Sequence, residues 1–314
     1  MTTSSFMRIG THDGSFHADD VLAVAILTTI YPNHQVVRSR DIDILNLMDI
    51  LIDVGDVYDH RIKRYDHHMH NPPKDKFDHM FSSAGLIWRH YAKTYLEVIG
   101  IPKDFTFEGN TFDLITNVER HIRIHWIHPI DRADNGLNQG PTTISEIVRS
   151  MRPIHPERST QRFDQLFLEV VSMISHIFKR SCFHSADHVI AKTQCMHSEK
   201  KILLDDKVII SQYPFHNYKV LNTTTAHFSI CPSDVYEGSE LYFVVRPILD
   251  LNTKNFKTPF PAEILGCRST TIEQHLGIKG VNYIHHNGHL ALVNSEEEAI
   301  SLCKTLLGYP ETNS

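Results

Sequence analysis

The segment 49–70, DILIDVGDVYDHRIKRYDHHMH, constrains the fold of this chain more than any other. Its apolar run, 50–54, has the length and composition of a short buried strand. The strand ends at Asp53 and Gly55, and a further acidic residue with two histidines follows at 66–68. Because ligands bind outside the carboxyl ends of strands in open α/β sheets, polar residues at this place indicate a site rather than part of a core.

The triplet Asp66-His67-His68 has two interpretations. Neutral imidazole nitrogens and carboxylate oxygens are the ligands that a divalent transition-metal ion prefers. The chain contains 23 histidines, however, so a solvated polar loop explains a single cluster equally well. A second cluster of the same residue types is needed to decide between the two.

Such a cluster lies near the N-terminus, in the segment 8–20, RIGTHDGSFHADD. A short apolar lead-in predicts a first strand, and the apolar pattern after the segment predicts a helix, so that His12 and His17 lie on the turn between them. Asp19 and Asp20 at the helix start have a simple explanation in the helix dipole. The two histidines have no such explanation, and the two clusters together favour a metal site.

Five motifs in order along the chain resemble the MYG family of metal-dependent exonucleases. They are Gly10-Thr11-His12-x-Gly14-x-Phe16-His17-x-Asp19, Asp53-Val54-Gly55, Arg64-Tyr65-Asp66-His67-His68, Ser82-Ser83-Ala84-Gly85-Leu86-Ile87 and Asp131-x-x-Asp134-Asn135-Gly136. That family is a divergent branch of the DHH phosphoesterases, which include RecJ-type nucleases and manganese-dependent pyrophosphatases. The resemblance covers residue 8 to about residue 140 and weakens beyond it.

The resemblance implies a centre of two divalent metal ions, with Mn²⁺ expected and Mg²⁺ or another first-row ion as alternatives. One ion would be bound by His12, His17 and Asp53. The ligands implied for the other ion are Asp19, Asp53, His67 and either Asp131 or Asp134. The commoner DHH pattern has a carboxylate at the place of His17, and a nitrogen ligand there shifts the preference from Mg²⁺ toward Mn²⁺.

The implied reaction is hydrolysis of a phosphodiester by a water that the metal ions activate, with Asp53 shared between the ions. His68 would contact the scissile phosphate or the leaving group, and Asp66 would orient an imidazole through its ring N–H. The implied activity is that of a 3′-to-5′ exonuclease on RNA. One alternative is a phosphoesterase for small phosphoanhydrides or short oligonucleotides. Another is a nucleic-acid-binding protein that retains the metal without turnover.

The net charge of −6 is unusual for a nucleic-acid-binding protein, because a general phosphate-binding surface is basic. Either the substrate is small or the positive potential is local. Solvated helix faces are one interpretation of the basic residues near the proposed ligands, and a local phosphate-binding surface is the other. These residues are Arg61, Lys63, Arg64, Arg120, Arg123 and Arg132.

The composition, 41% hydrophobic and 22% charged, is that of an ordinary globular protein. No window approaches the ~20 apolar residues of a membrane span, and the N-terminal segment is too short for a secretory signal, so we expect a soluble intracellular protein. The five cysteines all follow residue 181 and form no C-x-x-C, so we expect reduced thiols. The cytoplasm is the expected compartment, with nucleus and mitochondrion as alternatives, and a homo-oligomer is compatible with the sequence.

The predicted fold is α/β, with an N-terminal DHH-like domain at 1–156, a helical connector at 157–204 and a smaller C-terminal α+β substrate-binding domain at 205–314. Alternating strands and helices predict a mostly parallel sheet flanked by helices in the first domain. Its predicted strands are 7–12, 35–40 and 50–54, and its predicted helices are 18–31, 82–100 and 110–130. In the C-terminal domain the predicted strands are 208–210, 219–221, 226–230, 241–245 and 281–285, and the predicted helix is 295–307.

Two places in the C-terminal domain depart from the family pattern. Ala291-Leu292 stands where the family has a glycine pair, and Lys257 stands where an arginine is expected. Lysine is a point charge and lacks the bidentate fork of arginine, so we expect a difference in substrate affinity or preference.

Overall fold

The computed structural model describes residues 6–137, 143–213, 224–237 and 240–310. The chain divides into two compact units, Met1–Asp187 and His188–Ser314. The boundary falls within one long helix, α7 (Thr160–His197). The division into three domains stays a prediction, and the predicted strand 219–221 lies outside the described residues. No described helix has the length and apolar character to cross a membrane.

The first unit is built on a five-stranded sheet with the spatial order β2-β1-β3-β5-β4. Its strands are β1 (Met7–Thr11), β2 (His34–Arg38), β3 (Ile50–Ile52), β4 (Tyr58–Asp59) and β5 (Arg64–Tyr65). All neighbouring strands are parallel except β4 and β5, which confirms the predicted mostly parallel sheet. Thr11 pairs with Ile52 in the register of β1 and β3, so the next residues on the two strands, His12 and Asp53, leave the sheet at the same edge.

Helices cover this sheet. Those of the first unit that precede α7 are α1 (Ala18–Ile30), α2 (Ile42–Leu45), α3 (Ser83–Val98), α4 (Leu114–Ile122), α5 (His128–Asp134) and α6 (Ile144–Ser150). Every residue of α1 from Ala18 to Leu27 is buried, and α1 packs along α3. A helix that is apolar on all sides belongs in a core, and here it fixes the position of the turn before it.

The prediction of one helix over 110–130 is wrong at its start. The strands β6 (Asp104–Phe107) and β7 (Asn110–Asp113) form an antiparallel hairpin, and its turn, Glu108-Gly109, has positive φ angles of 47° and 77°. Helix α4 begins only after this hairpin and continues through a π-helical segment into α5. The motif residues Asp134-Asn135-Gly136 therefore begin on the last residue of α5.

The second unit has a six-stranded sheet in the order β12-β13-β11-β10-β9-β8. Its elements are β8 (Lys200–Leu203), β9 (Val208–Ser211), β10 (Phe228–Glu237), β11 (Glu240–Pro247), α8 (Ser269–Leu276), β12 (Val281–Ile284), β13 (Ala291–Val293) and α9 (Glu296–Leu307). Strands β9 and β10 are parallel, and the other described pairs are antiparallel. Helix α9 begins at Ser295, whose hydroxyl accepts a hydrogen bond from the Glu298 N–H at 3.2 Å.

Candidate metal centre

Asp53 follows β3 in a backbone conformation that residues other than glycine seldom adopt. Its φ is +57°, in the left-handed region. The residue is 3% exposed, and its Oδ1 accepts a hydrogen bond from Ser83 Oγ at 2.9 Å. Backbone strain of this kind persists where the surrounding structure holds the residue in place, and it is concentrated at functional sites.

His12 meets Asp53 from the neighbouring strand end. Its Nε2 lies 3.2 Å from Asp53 Oδ2 and 3.3 Å from Asp20 Oδ2. Its Nδ1 lies 2.9 Å from the carbonyl oxygen of Asp13, which can only accept a hydrogen bond. A hydrogen bond from Nδ1–H to this carbonyl fixes the orientation of the ring and leaves Nε2 facing the two carboxylates.

Asp20 is a site residue that the sequence prediction assigned only to the helix dipole. Its Oδ1 accepts hydrogen bonds from the N–H groups of His17 at 2.8 Å and Val21 at 2.7 Å, which caps α1. Its Oδ2 faces His12, and the residue is fully buried. Two consecutive carboxylates at a helix start were the available signal, since a dipole or a cap needs only one of them.

His67 stands at the meeting point of three carboxylates. Its Nε2 lies 3.2 Å from Asp53 Oδ1, 3.2 Å from Asp134 Oδ2 and 3.8 Å from Asp19 Oδ2. Despite these distances, His67 Nε2 makes no well-directed hydrogen bond within the described part of the chain. Asp19 is fixed at its other oxygen, because Oδ2 accepts a hydrogen bond from the Ser83 N–H at 3.2 Å.

The cluster has the properties of a cation site. Three buried atoms within it, Asp19 Oδ1, Asp20 Oδ2 and His67 Nε2, have no hydrogen-bond partner among the residues that the structure describes. A buried polar atom without a partner is costly, so a ligand for such atoms is expected. The described residues form three sets whose ligand atoms lie within 4.8 Å of one another. The first is His12/His17/Asp53, the second is Asp53/His67/His68 and the third is His17/Asp19/Asp134. Mixed nitrogen and oxygen donors suit a divalent first-row ion.

Asp131 lies beside this cluster and has different partners. Its Oδ1 accepts hydrogen bonds from the Ser82 N–H at 2.9 Å and from Ser82 Oγ at 2.7 Å, and it thereby joins α5 to the start of α3. A Cβ placed on Gly85 would lie 2.4 Å from Asp131 Oδ1. Asp131 is absent from the candidate ligand sets that the described residues form, whereas Asp134 is present.

His68 lies at the open side of the cluster. Its Nδ1 is 2.7 Å from Asp66 Oδ1, and its side chain is 57% exposed. The other oxygen, Asp66 Oδ2, accepts a hydrogen bond from the Asp56 N–H at 2.6 Å, so the carboxylate itself is fixed. Asp66 therefore orients an imidazole that is exposed to solvent.

The ionisation of the cluster follows from burial and close charges. Burial, followed by repulsion from Asp53 and Asp134, raises the pKa of Asp19. Burial likewise raises the pKa of Asp131, to about 6. Burial alone would raise the pKa of Asp53, but His12 and His67 outweigh it and lower that pKa. Burial alone would lower the pKa of His12, but Asp20 and Asp53 outweigh it and raise that pKa to about 10. Burial and mutual repulsion disfavour the ionised form of Asp19 and Asp134, and a cation bound between such carboxylates would relieve that repulsion.

Two pockets open onto the cluster, and His17 and His68 line both. The larger pocket, ≈ 570 Å³, also contains Asp134 and the guanidinium groups of Arg149 and Arg152. The other pocket, ≈ 530 Å³, contains Asp53 and Arg40. Cations at the edge of a carboxylate cluster suit a substrate that carries phosphate groups.

The six basic residues singled out in the sequence do not line these two pockets in the described structure. Arg61 pairs with Asp59 at 2.7 Å, and its side chain is 87% exposed. Arg64 donates hydrogen bonds to backbone carbonyls, among them that of Ile62 at 3.0 Å. Arg120 and Arg123 line a separate pocket of the same unit.

The departures in the second unit have structural explanations. Lys257 Nζ donates hydrogen bonds to the backbone carbonyls of Thr224 and Ala226, the latter at 3.1 Å. Ala291 is buried in β13, where it pairs with Val245. The effect of both departures on substrate preference stays a prediction.

The model of the family described as "MYG1_exonuc: Uncharacterised protein family (UPF0160)" matches residues 8–307 of this chain. The MYG1 protein of Schizosaccharomyces pombe is 27% identical over 98% of this chain and 99% of its own length. The human MYG1 exonuclease is 25% identical over 96% of this chain and 85% of its own length.

Among solved structures, a pGpG-specific phosphodiesterase, PggH, from Vibrio cholerae matches 96% of this chain and 98% of its own chain. The sequence identity is 14% and the TM-score is 0.31, so this likeness carries no weight for the function of the chain.

Proposed function

Because the chain belongs to the MYG1 exonuclease family, we propose that it is a metal-dependent phosphodiester hydrolase that removes nucleotides from the 3′ end of RNA. The observation that carries this proposal is the convergence of carboxylates and imidazoles from four separate segments on one buried cluster. The segments are the β1–α1 turn, the end of β3, the loop after β5 and helix α5.

We assign the metal ligands as two overlapping sets. His12, His17 and Asp53 would hold one divalent ion, and Asp19, Asp53, His67 and Asp134 would hold the other. Of the two acidic residues on α5, Asp134 is preferred because its carboxylate reaches His67, while that of Asp131 is engaged by Ser82. When bound, such ions lower the pKa of a water and neutralise charge on the phosphate.

The chain's own residues supply the remaining functions. His68, held by Asp66 and exposed to the pocket, is placed to contact the scissile phosphate or to give a proton to the leaving oxygen. Arg152, whose Nε is fixed on the Phe16 carbonyl at 2.6 Å, would attract a neighbouring phosphate. Asp66 is a positioning residue, since it acts through the His68 ring.

One observation favours a second candidate, a phosphoesterase for short oligonucleotides or small phosphoanhydrides. The ≈ 570 Å³ pocket beside the cluster is in the range of small-molecule sites, and the net charge is −6. A comparison of rates on pyrophosphate, a dinucleotide and a 20-nucleotide RNA separates the two candidates. The exonuclease requires turnover of the long RNA.

The direct test uses a 5′-labelled RNA with a free 3′ end and Mn²⁺. The wild-type protein is expected to produce a ladder that shortens from the 3′ end. Asp53→Ala is expected to lower the rate by about 10³-fold or more, because the metal ions provide several kcal/mol of transition-state stabilisation. Asp104→Ala, an exposed carboxylate on the β6–β7 hairpin, is the matched control.

Two results would contradict the proposal. Activity that survives Asp53→Ala would remove the cluster from catalysis. Metal binding by the wild-type protein without release of any nucleotide from any of the three substrates would point instead to a binding protein without turnover.

A further inference from the structure

A third pocket of the first unit is lined mainly by cations, whereas the candidate metal centre, called the metal cluster below, is built mainly from carboxylates and imidazoles. It measures ≈ 500 Å³ and is lined by five lysine and arginine side chains against two carboxylates. The five cations, which define the basic pocket, are Lys74, Lys76, Arg89, Arg120 and Arg123. In a chain with a net charge of −6, this is a local concentration of positive potential.

Part of this charge is not neutralised within the protein. Lys74 pairs with Asp78 at 2.9 Å, and Arg123 pairs with Glu119 at 3.1 Å. In the part of the chain that the structure describes, no carboxylate lies within ion-pair distance of Lys76, Arg89 or Arg120. Three positive charges are therefore available to an anionic ligand.

Aromatic rings accompany these charges. Phe77 is 66% exposed, and Lys76 Nζ lies 5.0 Å from its ring centroid. The Arg89 guanidinium lies 5.4 Å from the ring centroid of Phe81, which is buried. Exposed rings beside unpaired cations are what proteins use to bind single-stranded nucleic acid, because bases stack on the ring while the cations contact phosphates.

The basic pocket and the metal cluster are carried by the same two helices. On α5, His128 lines the basic pocket and Asp134 belongs to the cluster, a separation on the order of 9 Å along the helix axis. On α3, Ser83 contacts Asp53, and Arg89 lies further along the helix in the basic pocket. A polymeric ligand can therefore reach both places.

We propose that the basic pocket binds a second segment of the single-stranded RNA whose 3′ end lies at the metal cluster. This inference rests on the proposed function, because it assigns the pocket to the same substrate. Lys76, Arg89 and Arg120 contact phosphates, and a base stacks on Phe77. Binding energy from this pocket is available only to RNA long enough to reach it, so long RNA is preferred over a dinucleotide.

The test measures RNA binding by fluorescence anisotropy with the double variant Arg89→Gln/Arg120→Gln. An Asp53→Ala background in every arm prevents hydrolysis, so binding is read independently of turnover. The matched control is Arg61→Gln/Arg162→Gln, which removes one exposed and one half-buried arginine of the same unit outside the pocket. Phe77→Ala tests the stacking contribution separately.

The double variant is expected to raise the Kd of a 20-nucleotide RNA at least about tenfold and to reduce the slope of log K against log salt concentration by about 1.4. Phe77→Ala is expected to weaken binding about tenfold. With Asp53 intact, the double variant should hydrolyse a dinucleotide at the wild-type rate. Unchanged RNA affinity, an equal loss in the control, or an acidic polypeptide that competes as well as RNA would each overturn the inference.

Failure of this inference and failure of the proposed function are distinguishable. If the wild-type protein shortens RNA and the double variant binds long RNA normally, only the role of the basic pocket is wrong. If RNA binds through the basic pocket and no substrate is hydrolysed, the exonuclease proposal is wrong and the binding inference stands.

Discussion

The candidate metal centre and the basic pocket lie in the same unit and differ in the burial and hydrogen bonding of their charged side chains. In the cluster, Asp19 and Asp53 are almost wholly buried, and hydrogen bonds fix them to the start of α3. In the basic pocket, Arg89 is exposed and lies over an aromatic ring. Buried charges are screened little by solvent and salt, while exposed charges are screened strongly.

The two regions therefore suit different kinds of ligand. A small cation needs donor atoms at fixed positions, so the cluster depends on close packing and on hydrogen bonds behind its ligands. A nucleic-acid strand needs only a favourable potential and rings to stack on, so the basic pocket tolerates mobile side chains. We therefore expect small substitutions around the cluster to reduce stability or cation binding, and substitutions of similar size in the basic pocket to be tolerated.

The largest effect is expected from Gly85→Ala on α3. In an ordinary helix this change stabilises by about 1 kcal/mol, because alanine has the better helix propensity. Here the added methyl group would meet the buried Asp131 carboxylate, so we expect a loss of about 1–3 kcal/mol in the free energy of unfolding. Urea denaturation measures the sign. A smaller loss in an Asp131→Ala background would locate the clash, and a gain in stability would contradict the packing described here.

The next effect is expected from Ser83→Ala, which removes the hydroxyl bound to Asp53. Loss of a partner behind a ligand weakens metal affinity, and we expect the Kd for Mn²⁺ to rise about 10- to 100-fold. Isothermal titration with Mn²⁺ measures this change. Arg120→Gln, in the basic pocket, is the control and should bind Mn²⁺ as the wild type does. Equal Mn²⁺ affinity of the Ser83 variant and the wild type would remove Ser83 from the support of the site.

The smallest effect concerns His90, a partly buried imidazole that has no carboxylate within ion-pair distance in the described ranges of the chain. His90 stacks on His60 with 3.8 Å between ring centroids, and its Nε2 lies 2.7 Å from the Tyr58 hydroxyl. Burial, together with the charges of His60 and Arg89, lowers the pKa of His90 to about 4. The unfolded chain, with a histidine pKa near about 6.5, then binds more protons than the folded chain as the pH falls between these values.

Stability should therefore decrease as the pH falls through about 6.5, and part of that decrease belongs to His90. The melting temperature of His90→Gln is expected to drop a few degrees less than that of the wild type between pH 7.5 and pH 5. Circular dichroism melts at the two pH values measure this difference. Identical drops in both proteins would show that His90 is solvated in the folded state.

The sequence predicted the strand-end residues because each follows a short apolar run in a parallel sheet, where carboxyl ends share one edge. His12 and Asp53 are neighbours for this reason. The contribution of Asp20 was missed because one carboxylate at a helix start has a sufficient local explanation, although two consecutive carboxylates do not. The sequence indicates Ser83 only as part of a motif, and nothing in its spacing predicts the hydrogen bond to Asp53.

The basic pocket was beyond prediction for a different reason. Its residues come from the loop at 74–77, from α3, and from α4 and the segment that follows it, so only the packing of these elements brings them together. The sequence prediction had no strand at 104–107, so it missed the β6–β7 hairpin and began the helix too early, at residue 110. The position of α4 depends on where that hairpin ends.

We expect the buried cluster of the first unit to bind two divalent cations. An anomalous difference map from crystals grown with Mn²⁺ shows directly how many ions are bound and where. We predict two peaks, one near His12, His17 and Asp53 and the other near Asp19, His67 and Asp134, and we predict that both are lost in Asp53→Ala. A wild-type map without a peak at this cluster, or with manganese bound only elsewhere in the chain, would contradict the account.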